Sequence, residues 1–216
     1  MVTFDSLIFA LEIIGTAAFA VSGVMVARER KMDLFGAILL GCATAVGGGV
    51  FRDLLLGITP PVMFIRPIYS EVAVAACLVQ FLLEKRAERR KPGEKTFLRT
   101  EFLLNAADSV GLAAFVVVGC RTAVNAGFGG NRFLTVFVGT VTGIGGGILR
   151  DMMAGQMPLI FRRRVYGIAA IAGAAVYTTF SAGRGSVVTA AFLSMAVTVA
   201  IRILAIHYRW NLPSFH

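Results

Sequence analysis

The chain has 216 residues, 57% of them hydrophobic and 15% charged, with 21 Lys and Arg against 12 Asp and Glu. A mean hydropathy of +0.78 excludes an ordinary soluble domain and puts the chain in the membrane class. The formal charge of +9 does not indicate nucleic acid, because the basic residues sit in short connections between apolar runs, where they act as topology determinants.

Asp5 precedes the first apolar run, residues 6–27, and no Lys or Arg does. A secretory leader has the opposite order, so this run reads as a span. The runs that follow are residues 34–56, 67–83, 102–120, 133–154, 165–182 and 187–206. Each is close to the ~20 residues a helix needs to cross ~30 Å of hydrocarbon. None alternates in polarity as a barrel strand would. The expectation is an all-α integral membrane protein with seven transmembrane helices. Cys42, Cys77 and Cys120 are scattered through apolar segments and read as packing. His207 and His216 stand apart from any ligand cluster, so no cofactor and no fixed metal site is expected.

The connections differ in charge. Those after the first, third and fifth runs, with the terminal segment, hold Arg28, Arg30, Lys31, Lys85, Arg86, Arg89, Arg90, Lys91, Lys95, Arg99, Arg162, Arg163, Arg164 and Arg209. The alternate connections hold only Arg66, Arg121, Arg132 and Arg184. Positive charge stays in the cytoplasm, which predicts an outside N-terminus and a cytoplasmic C-terminus. Arg52, Arg150 and Arg202 lie inside runs, and Arg202, near an inner end, is expected to snorkel.

The sequence repeats. Residues 45–57, AVGGGVFRDLLLG, return as residues 143–155, GIGGGILRDMMAG. Residues 14–19 match 110–115 at an offset of 96, residues 33–60 match 131–158 at 98, and Ile68-Tyr69 pairs with Val165-Tyr166. The chain therefore divides into a first three-helix repeat over 1–84 and a charged cytoplasmic linker over 85–100 that contains a Pro92-Gly93 turn. A second repeat over 101–183 and a seventh helix with its tail over 184–216 complete it. Three spans per repeat invert the second copy in the membrane, and inverted repeats build transport pathways at their interface.

Each repeat carries a glycine triplet, Gly47, Gly48 and Gly49 or Gly145, Gly146 and Gly147, followed by an Arg-Asp pair. Each glycine weakens a helix by roughly 1 kcal/mol, so a break or kink at membrane depth is expected, with freed carbonyls facing a cation. Close helix packing is the other reading. Thr44 and Thr142, one turn earlier, either line the path or bond back to their own helix. Neighbouring side chains diverge by about 100° on a helix, so Arg52 and Asp53 are not expected to pair with each other. Matched depths predict the pairs Glu12–Arg52 and Asp108–Arg150, leaving Asp53 and Asp151 to meet a cation. The arginines beside these aspartates, their placement toward opposite faces and the lack of a Gly-x-Gly-Asp motif argue against an intramembrane aspartyl protease. No Ser-His-Asp set or phosphate loop is present, so no enzyme is expected.

With these features the chain resembles the trimeric intracellular cation channels, in particular their short prokaryotic members. The resemblance covers nearly the whole chain and rests on the doubled GGG-x-x-R-D signature within the repeats. It implies a homotrimer with one pore per subunit and conduction of potassium, with sodium less discriminated. The path would be bounded by the second and fifth helices, kinked at Gly47-Gly48-Gly49 and Gly145-Gly146-Gly147. Animal members carry a Lys-Glu-Val signature and a charged tail. Here the triplet continues Val50-Phe51-Arg52-Asp53 and the chain stops soon after the last span, which points to a bacterial plasma membrane. Sequences of this type have also been labelled glycine transporters. The sequence therefore leads to a monovalent cation channel among membrane lipids, with a secondary transporter for a small solute such as glycine as the alternative.

Overall fold

The structure is a computed structural model that describes residues 4–88, 94–162, 165–182, 186–208 and 210. The described residues form nine α-helices. They are α1 (Phe4–Glu29), α2 (Leu34–Leu55), α3 (Val62–Ile65), α4 (Ile68–Glu88), α5 (Glu94–Ala123), α6 (Arg132–Met153), α7 (Leu159–Arg162), α8 (Val165–Ala182) and α9 (Val187–His207). A π-helical turn, Val124–Phe128, extends α5. α1, α2, α5, α6 and α9 are long and apolar enough to cross a membrane. α8 is apolar but shorter, and α4 carries Glu71 near its start and Lys85 and Arg86 in its last turn. Helix extends into the expected linker from both sides, while Pro92-Gly93, Arg163, Arg164, Arg184, Arg209 and His216 lie outside the described residues.

The repeated residues shape the helix ends. Asp33 caps α2 by accepting from the Gly36 amide at 2.7 Å, and Asn131 caps α6 by accepting from the Leu134 amide at 3.0 Å. The closing glycine of each motif ends its helix in the left-handed region, Gly57 at φ 71° and Gly155 at φ 64°. The amides of Ile58 and Gln156 then return to the carbonyls of Asp53 and Asp151.

The core is built from α1, α2, α5 and α6. α1 packs on α5 and α2 on α6, while α4 leans on α1 and α2, and α8 on α5 and α6. α9 lies along α8 and α5 and has no counterpart on the first half. Contacts across the centre are reciprocal. A Cβ on Gly15 would press on the Phe115 ring at 3.2 Å, a Cβ on Gly111 would collide with the Phe19 ring, and the two rings lie 5.3 Å apart. Arg28 pairs with Glu84, and Arg30 donates to the Gln156 side chain at 2.9 Å. The ends of α1, α4 and α6 therefore share one face.

The expected break at the glycine triplets is not there. α2 and α6 run as helix through residues 47–49 and 145–147, and the described glycines with positive φ are Gly57, Gly127 and Gly155. The reason is a helix crossing. A Cβ on Gly48 would collide with the Thr142 carbonyl oxygen, and a Cβ on Gly146 with that of Thr44. Small residues let two backbones touch, and that contact offsets the low helix propensity of glycine.

Candidate functional site

The Arg-Asp pair follows the triplet by one turn, which places it just beyond the α2–α6 crossing in each repeat. Arg52 is 6% exposed and Asp53, Arg150 and Asp151 are each 1% exposed. The sequence keeps Arg52 and Asp53 apart, but the structure joins them. Arg52 Nε donates to Asp53 Oδ1 at 2.8 Å, and Arg150 Nε to Asp151 Oδ1 at 2.9 Å. The Cβ vectors diverge as expected, yet the long arginine stem lets the guanidinium fold back to its neighbour.

Asp53 and Asp151 are therefore not free carboxylates. Asp53 Oδ2 accepts from the Val62 amide at 2.8 Å and Asp151 Oδ2 from the Leu159 amide at 2.7 Å. Those amides open α3 and α7, so each aspartate ties the end of a long helix to the short helix that follows. Gln156 adds a bond to Asp151 Oδ1 at 3.0 Å.

The two predicted inter-helix pairs part ways. Asp108 Oδ1 accepts from Arg150 Nη1 at 2.7 Å with both side chains buried, and Arg150 also donates to Ser22. Glu12 and Arg52 are not joined as an ion pair. Glu12 instead accepts from the Tyr69 hydroxyl, and Arg52 turns to Asp53. Nor does Arg202 snorkel. It is 2% exposed, with Nη2 3.6 Å from Asp108 Oδ2, Nε 3.3 Å from the Ser109 hydroxyl and its guanidinium 4.6 Å from the Tyr166 ring centre. Tyr166 recurs at the repeat position of Tyr69, and the signal for Arg202 was its apolar setting on both sides.

Thr44 and Thr142 do not point into a path. Each is fully buried and donates to its own helix at 2.6 Å, to the carbonyls of Leu40 and Val138. They sit where a Cβ on Gly23 or Gly119 would press on the hydroxyl.

A cavity of about 40 Å³ lies among α1, α2, α3, α4 and α5 and is lined by Glu12, Thr16, Gly49, Arg52, Asp53 and Tyr69 among apolar neighbours. That volume admits water or a small ion. At the corresponding place in the second half, Leu112 stands for Thr16 and the arginines close on Asp108. Among the described residues no His, Cys, Asp or Glu cluster could hold a metal.

A family model described as "Glycine transporter" matches residues 9–85 and again 105–182. The inner membrane protein YadS of Escherichia coli is 39% identical over 97% of this chain and 96% of its own length. The membrane protein YvgT of Bacillus subtilis is 33% identical over 94% of both. Among solved structures, a chain from work on conductance through TRIC cation channels superposes with a TM-score of 0.82 at 35% identity, covering 99% of this chain and 98% of that one. The TRIC trimeric intracellular cation channel orthologue from Rhodobacter sphaeroides gives 0.84 at 30% identity, covering 95% and 100%.

Proposed function

The chain belongs to the trimeric intracellular cation channel family, and from that premise we propose that it is a monovalent cation channel of the bacterial inner membrane. The observation that carries this reading is likeness along almost the whole chain to solved channels, at 35% identity for one of them. Those neighbours are channels and not enzymes. A transporter of glycine has only a family description behind it.

In this reading the channel is a homotrimer with a pore in each subunit. Seven helices cross the bilayer, α4 and α8 among them, as two inverted three-helix repeats with α9 added. Support comes from the double match of one family model and from the reciprocal contacts of Gly48 with Thr142 and Gly146 with Thr44. The basic connections at the ends of α1 and α4 share a face with the end of α6, which suits a cytoplasmic surface and an outside N-terminus. Potassium is the preferred ion. The cation enters past Glu12, whose carboxylate fronts the cavity, and is not ligated by Asp53, which lines the same cavity, or by Asp151, because their oxygens are taken.

Planar-bilayer recording of the purified protein tests the reading. Unitary currents that reverse with the potassium gradient are expected. Silence in the bilayer, with saturable glycine counterflow in proteoliposomes, would replace the channel by a carrier.

A further inference from the structure

The second half of the molecule already holds a cation where the first half holds a cavity. The Arg202 guanidinium lies 3.6 Å from Asp108 and 4.6 Å from the Tyr166 ring centre, almost wholly buried. Asp108 and Tyr166 stand at the repeat positions of Glu12 and Tyr69. Both of these line the cavity, and Thr16 adds a hydroxyl where the second half has Leu112. α9, which delivers Arg202, has no counterpart in the first half.

We infer that the Glu12–Tyr69 cavity is a discrete binding site for a monovalent cation, and that Arg202 is a tethered cation filling the second copy of that site. The inference rests on the channel reading and gives it a location. Arg52 and Asp53 neutralise each other at 2.7 Å, so Glu12 supplies the net charge of the lining. Arg66, exposed and outside the lining, reaches the Tyr69 hydroxyl within hydrogen-bonding range and is the other charge beside the pair. A positive neighbour and one carboxylate disfavour a divalent ion, which demands more oxygen ligands. A tyrosine beside a single carboxylate suits a large, weakly hydrated cation such as potassium or thallium.

Thallium diffraction on crystals of the full chain tests this. Wild-type crystals should show anomalous density in the cavity beside the Glu12 carboxylate. Glu12→Gln keeps an acceptor for the Tyr69 hydroxyl but removes the charge, and should weaken thallium binding on the order of tenfold. Arg202→Met should add a second thallium peak beside Asp108 and Tyr166. No wild-type peak, or an undiminished peak in Glu12→Gln, overturns the site. A folded Arg202→Met protein without the second peak overturns the tethered cation. Should that variant be unstable, guanidinium at concentrations harmless to wild type must raise its melting temperature, and failure to do so overturns the tethered cation equally. Thallium density without bilayer current leaves the site standing and removes the channel; current without density does the reverse.

Discussion

Gly48 on α2 and Gly146 on α6 meet backbone to backbone, each pressed against the carbonyl of the other helix's threonine, Thr142 or Thr44. This reciprocal contact explains why each triplet places a glycine at its centre. It also separates the three glycines by role, because a Cβ on Gly49 would meet only the Arg52 guanidinium, at 3.9 Å.

Gly48→Ala and Gly146→Ala should each destabilise the fold by about 1–3 kcal/mol, since a carbonyl on a packed helix cannot yield as a side chain does. Gly49→Ala should be neutral or stabilising by up to about 1 kcal/mol through helix propensity. Thermal unfolding in detergent reads the difference. Equal losses at all three positions would contradict the crossing.

Asp108→Asn should be among the most damaging single changes in the charge network. Its carboxylate faces Arg150 at 2.7 Å and Arg202 at 3.6 Å, all buried. Removing the anion leaves buried positive charge and should cost about 3–5 kcal/mol. Melting temperature and yield of the purified protein measure it, with Glu12→Gln, beside a cavity, as the mild comparison.

Asp53→Asn and Asp151→Asn should both act on the connections after α2 and α6, and Asp53→Asn also removes the carboxylate that neutralises Arg52 beside the cavity. Each loses a charge-assisted bond to the amide that opens α3 or α7, worth about 1.5–3 kcal/mol. Faster amide exchange at Val62 or Leu159 should report the loss. Unitary conductance of the folded protein should fall in Asp53→Asn, where Arg52 is left as an unpaired cation in the cavity lining, and stay unchanged in Asp151→Asn.

Thr44→Val and Thr142→Val should preserve conductance as well. Their hydroxyls bond to Leu40 and Val138 within the same helix, and losing such a bond costs about 1 kcal/mol. Altered selectivity in single-channel recordings would return these residues to the path.

Much of the fold was legible in the chain. Apolar runs marked the helices, while the caps at Asp33 and Asn131 and the left-handed ends at Gly57 and Gly155 came from the structure, which shows the repeated residues closing α2 and α6 by the same local chemistry. Asp108–Arg150 was legible because depth follows from residue number along a helix, and both residues had to find partners near one level of the membrane. The same logic failed for Glu12 and Arg52. Depth says nothing about rotation or rotamer, and Tyr69 and Asp53 were nearer at hand. Arg202 escaped for a related reason, since an arginine near a helix end reads as snorkelling until a neighbouring helix is seen to bury it.

The sequence by itself determined the membrane class, the doubled motif and the family resemblance, all of which depend on composition and order along the chain. Only the tertiary structure decided what the motif does. A glycine triplet weakens an isolated helix, but packed against a second triplet it becomes the place where two helices touch, so the expected break became a crossing. An aspartate after an arginine looks uncompensated until the next short helix offers its amide. These outcomes turn on contacts between segments about a hundred residues apart and on which of several reachable partners lies closest, and neither is a property of local sequence.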